Sequence, residues 1–151
     1  TTAVQRLCLA VESINTPPKK APVKFILMNT TGNQNTNDGE IVPFSQRIVV
    51  NIIRCLVPPH ADNEGAASYL QTRYKKDNNV IEWAAVRPDT LIDSKQTSPY
   101  NLHQSPIRNP IFDAGKTSRI NVAHFMSQLA VNSSLWEDWK MKMPVIYDQE
   151  D

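Results

Sequence analysis

The chain has 151 residues, 40% of them hydrophobic, which suits one compact domain and excludes a two-domain enzyme within this length. With 21% charged residues and a formal net charge of +1, it lacks the basic footprint of a nucleic-acid or anionic-membrane binder. No apolar run reaches the roughly 18 residues that cross a bilayer, and the four glycines (Gly32, Gly39, Gly65, Gly115) leave no Gly-x-Gly-x-x-Gly turn and no Walker loop.

In chain order, Val4, Leu7, Cys8, Val11 and Ile14 recur at helical spacing, so residues 2–15 read as an amphipathic helix. Pro17-Pro18 stops it. Val23 to Met28 is a short apolar run with β-branched and aromatic content, the pattern of a strand buried on both faces in a parallel sheet. A polar stretch from Asn29 to Pro43 follows as a loop, at the strand end where open α/β sheets bind ligands. Helical spacing returns over 45–57 and ends at Pro58-Pro59. A further helix over 61–75 is capped by Asp62 and carries Ala66, Ala67, Leu70 and Tyr74 along one side.

Ile81 to Val86 reads as a second short strand that runs into Arg87-Pro88-Asp89. Residues 94–110, punctuated by Pro99, Pro106 and Pro110, read as a long surface excursion, and Pro110-Ile111-Phe112 as a short strand. Asn121 is expected to cap a helix whose buried face holds Val122, Phe125, Met126 and Leu129. Ser134 is expected to cap a last helical turn with Trp136 and Trp139, and Pro144 to Tyr147 to form a terminal strand. Cys8 and Cys55 sit among apolar residues, which suits buried free thiols in a reducing, cytoplasmic setting. His60, His103 and His124 are far apart and have no Cys or carboxylate at metal-ligand spacing, so no metal site is expected.

Three stretches, in this order, resemble the C-terminal half of an atypical short-chain dehydrogenase/reductase of the NmrA-like, NAD(P)-binding group. Phe25 to Gly32 is similar to that family's strand ending in a Ser/Thr pair beside the nicotinamide. Ile81 to Leu91 is similar to its later strand with a terminal Arg-Pro, and Thr117 to Met126 to the entry into a late helix. The resemblance implies an α/β fold: the C-terminal portion of a Rossmann-like parallel sheet flanked by helices, without the glycine-rich N-terminal half. Residues 1–151 would form one domain, the substrate-side part of an NAD(P)-binding domain. It implies NAD or NADP as cofactor, a small-molecule substrate, and the missing half or a partner chain as partner, with no nucleic acid and no membrane. On this reading the chain is a fragment or a truncated form, an expectation supported by the absent initiator Met and the uncapped first helix.

The resemblance places Asn29, Thr30, Thr31, Arg87 and Pro88 at the cofactor, Leu91 at the substrate, and Thr31 with His60 at the chemistry. Each has a plainer reading as well. Asn29, Thr30 and Thr31 can instead satisfy their own loop. Arg87 suits a bidentate contact to a phosphate or carboxylate, or a structural bridge to loop carbonyls. Pro88 can simply end its strand. The family's Tyr-x-x-x-Lys pair is absent, since Tyr69 is followed at that spacing by Arg73. Spacing back from Leu70 puts His60 and Glu64 near those two positions. A His can move a proton near neutrality, but a Glu cannot supply the positive field of the Lys. A catalytically inactive dinucleotide-sensing or scaffolding module is therefore the second expectation.

Overall fold

In the computed structural model, residues 2–15, 21–33, 58–75, 79–109 and 113–149 are described. The 45–57 helix, the Pro110–Phe112 strand, Pro17-Pro18 and Cys55 lie outside them.

The run Val23–Met28 forms β1 and Ile81–Pro88 forms β2. They pair in parallel along their whole length, Val23 opposite Ile81 and Met28 opposite Val86. The last described strand is Val145–Asp148, labelled β6 in chain order; it lies parallel to the end of β2, with Arg87 opposite Val145 and Pro88 opposite Ile146. Tyr100–His103, β4, pairs antiparallel with β6 and closes the far side, giving the order β1-β2-β6-β4. Thr90–Ile92 (β3) and Lys116–Ser118 (β5) form a separate two-stranded parallel sheet. The residues read as one polar excursion over 94–110 therefore contain β4. Four short, mostly polar residues carry little strand signal; pairing with β6 makes the strand.

Helix α1 spans Thr2–Ile14, α2 Pro58–Arg73, α3 Arg119–Val131 and α4 Ser133–Trp139. Period-two alternation along β2 feeds two cores. Ile81, Trp83 and Ala85 pack under α1 and α2 with Val4, Cys8, Ala66, Ala67, Leu70 and Tyr74. Ala84, Val86 and Ile146 pack under α3 and α4 with Val122, Phe125, Leu129 and Trp136. Trp83 donates its indole N–H to the Tyr74 carbonyl at 2.9 Å, which satisfies its one polar group inside the core. Cys8 is buried and reduced.

Three capping expectations are corrected. α2 starts at Pro58, where Pro fits a first helical turn, so Asp62 lies inside it. Ser118, not Asn121, caps α3, its hydroxyl accepting the Asn121 N–H at 3.3 Å. Asn132, not Ser134, caps α4, accepting the Leu135 N–H at 3.1 Å. The α1 stripe is also narrower than its spacing suggests. Val4 and Cys8 are buried, whereas Leu7 and Ile14 stay exposed because no described element covers that flank.

Candidate functional site at the carboxyl ends of the strands

Parallel pairing puts the carboxyl ends of β1, β2 and β6 on one sheet edge, and hydrogen bonds extend beyond the strands there. The Asn29 N–H donates to the Val86 carbonyl at 2.7 Å and the Thr31 N–H to the Pro88 carbonyl at 3.2 Å. The two stretches singled out in the sequence, Asn29 to Gly32 and Arg87 onward, therefore lie side by side.

Asn29 and Thr30 partly close their own turn. Asn29 Oδ1 accepts from the Thr30 N–H at 2.9 Å and from Asn33 Nδ2, while Thr30 Oγ1 accepts the Gly32 N–H at 3.3 Å. Asn29 and Asn33 are nevertheless buried with one polar atom each unpaired: Asn29 Nδ2, a donor, and Asn33 Oδ1, an acceptor. Buried amide atoms are rarely left this way unless a ligand or water completes them.

Thr31 is buried with its hydroxyl near the Asp89 carboxylate, whose Oδ2 accepts the Gly115 N–H at 2.9 Å. Burial pushes the Asp89 carboxyl above its ordinary range, and these two donors only partly offset it. Behind Asp89 stands Tyr147, whose ring packs so closely on Gly115 that a Cβ there would collide with ring atom Cδ1. Burial, then the nearby Asp89 charge, raises the Tyr147 phenol, so it stays protonated at neutral pH.

Arg87 is fully buried. Nε donates to the Met143 carbonyl at 2.8 Å, one terminal nitrogen to the Asn33 carbonyl at 3.0 Å, and the other to the Gln104 carbonyl at 2.9 Å. One guanidinium thus holds the β1 loop, the β4 loop and the entry to β6. Pro88 is buried at the strand end, and Leu91 packs toward the core under α3. His60 belongs to the first turn of α2. Asp89, Asn33 and Tyr147 were not singled out from sequence. The signal for Asp89 was present, an acidic residue directly after a buried strand. Tyr147 joins the group only because β6 lies against β2.

No protein-family model matches this sequence, and no curated protein matches it. Among solved structures, the chain is similar to the oxidoreductase ylbE from Lactococcus lactis, with a TM-score of 0.59 and 16% identity over 97% of this chain and 53% of that one. It is similar to ChuY, an anaerobilin reductase from Escherichia coli O157:H7, with a TM-score of 0.56 and 17% identity over 85% of this chain and 51% of that one. A wide-type short-chain dehydrogenase/reductase from Veillonella parvula, solved with NADP, has a TM-score of 0.50 and 11% identity over 96% of this chain and 58% of that one. The chain spans about half the length of the first two. At these identities the shared property is the fold, a Rossmann-like α/β arrangement.

Proposed function

We propose that this chain is the substrate-side half of an NAD(P)-dependent oxidoreductase of the atypical short-chain dehydrogenase/reductase type. The supporting observation is the pair of buried, unpaired amide atoms at the sheet edge. Asn29 Nδ2 offers a donor and Asn33 Oδ1 an acceptor, the complement of a primary carboxamide such as that of nicotinamide. When bound, the dinucleotide supplies or takes up a hydride. The chain's own part is to hold the ring end: Asn29, Thr30 and Thr31 from the β1 loop, with Arg87 and Pro88 fixing the loop's position and Leu91 bordering the substrate. Thr31, beside Asp89, and His60 are the proposed proton-handling residues. The pyrophosphate would be held by a further α/β unit, the missing half or a partner chain, added beside β1. No described helix is long and apolar enough to cross a membrane, and the buried thiol of Cys8 suits a cytoplasmic setting.

A second reading, an inactive dinucleotide-sensing or scaffolding module, draws on the helix that should carry the Tyr and Lys. Tyr69 packs edge-on against Tyr74 with ring centroids 6.1 Å apart, and Arg73 is paired with Glu12 at 3.2 Å. Neither is placed to act as the family pair does.

Saturation-transfer NMR of this chain with NADH and with NADPH tests ring-end binding. The nicotinamide protons should receive the strongest transfer, and Thr31→Val should weaken binding about fivefold, the value of one hydrogen bond near 1 kcal/mol. Transfer centred on the adenine, or none with either dinucleotide, would overturn the proposal.

A further inference from the structure

Asp89 directly follows β2, at the sheet edge that also carries the Asn29 to Asn33 loop. The Thr31 N–H donates to the Pro88 carbonyl at 3.2 Å, which seats that loop one residue from Asp89. On the other side the Gly115 N–H holds Asp89 Oδ2 at 2.9 Å, so the carboxylate has a fixed place. It is half-buried, where screening by water and salt is incomplete.

The charged and titratable groups around Asp89 come from three parts of the fold. Arg108, after β4, favours the Asp89 carboxylate but is itself paired with Asp113 at 2.9 Å. Arg87, on β2, is buried against the Met143, Asn33 and Gln104 carbonyls. Tyr147, on β6, stays a neutral phenol. Asp89 therefore sets a negative charge beside the loop whose buried amides, Asn29 and Asn33, each leave one polar atom open.

A nicotinamide ring is a cation when oxidised and neutral when reduced, whereas its carboxamide is the same in both forms. Asn29 and Asn33 can recognise that carboxamide but cannot tell the two forms apart; a nearby carboxylate can. We propose that Asp89 is the residue that favours the oxidised over the reduced nicotinamide at this edge, an inference that rests on the ring-end site proposed above. Opposite unit charges about 8 Å apart, at an effective dielectric constant of about 40, change affinity about fivefold. A fivefold preference makes the bound couple harder to reduce by about 20 mV, at about 30 mV per tenfold for two electrons.

The probes are the oxidised and reduced forms of nicotinamide mononucleotide, which share their phosphate and differ in ring charge. Both are titrated into the chain by NMR at pH 8, where Asp89 is ionised in spite of its burial. Asp89→Asn keeps an oxygen for the Gly115 N–H and removes the charge. It should weaken the oxidised form about fivefold and leave the reduced form nearly unchanged. A merely structural role would weaken both forms alike. Asp89→Ser is a second neutral variant with the same expected loss, should the Asn variant fold poorly. A parental ratio of the two affinities in a folded neutral variant would overturn the inference and leave the ring-end site standing. Failure of the parent to bind either form would overturn both.

Discussion

Arg87 shows how one side chain holds the strand ends. A buried guanidinium on three main-chain carbonyls works as a rigid fork, and each charge-assisted bond is stronger than a neutral one. Arg87→Met leaves the Met143 and Asn33 carbonyls buried without this donor and should cost about 3 kcal/mol in urea unfolding. Arg87→Lys should recover little, because a compact ammonium cannot reach three divergent acceptors. A lysine variant as stable as the parent would show that charge alone, not the fork, matters here. The sequence left Arg87 open between ligand and structure; the structural contacts became visible only with Gln104 and Met143 placed around it.

At the level of elements, Glu82 ties β2 to α4. Its carboxylate accepts from Lys140 Nζ at 2.8 Å and Trp136 Nε1 at 2.7 Å. Burial alone would raise its pKa, but these two donors, with the charges of Lys140 and Lys24, hold it below the ordinary value. The carboxylate is therefore favoured in the folded state, so its contribution is present above the usual carboxylate pKa and is lost as pH falls through the lowered one. Glu82→Gln should destabilise the protein by about 1.5 kcal/mol at neutral pH, and the gap from the parent should close in acid; a gap that persists at low pH would point to packing instead. Glu82 also marks how far elements could be read from sequence. β1, β2 and the apolar faces of α2 and α3 were legible because continuous apolar runs and 3.6 spacing encode burial directly. β4 and the caps were not. Tyr100–His103 is a strand because β6 pairs with it, and Asn121 gives its side chain to Ser98 and Asp148 rather than to its own helix end. Within the site, Thr31 was visible from its place after a strand. Tyr147 depended on a long-range pairing that no local pattern announces.

Across the whole molecule, β1 is the outermost strand of the described sheet, paired on one side only. Parallel strands are usually covered on both edges and faces. Here Val23 is 39% and Met28 48% exposed, and the adjacent α1 leaves Leu7, Leu9 and Ile14 exposed. The chain alone should therefore self-associate with rising concentration in sedimentation velocity, and Val23→Lys, a charge at the strand's open end, should shift it toward monomer. A parent that stays monomeric across the accessible range would mean this flank is covered. The order β1-β2-β6-β4 has a kinetic consequence as well. β6, the last of the described strands, occupies an interior place, between β2 and β4, and it supplies Val145 and Tyr147 to one face and Ile146 to the other. During synthesis β1 and β2 can pair while this slot is still empty, so β4 has no strand to join until Val145–Asp148 has left the ribosome. A chain stopped short of β6 would lose the sheet's centre rather than its margin, leaving β4 unpaired and the core under α3 and α4 without Ile146.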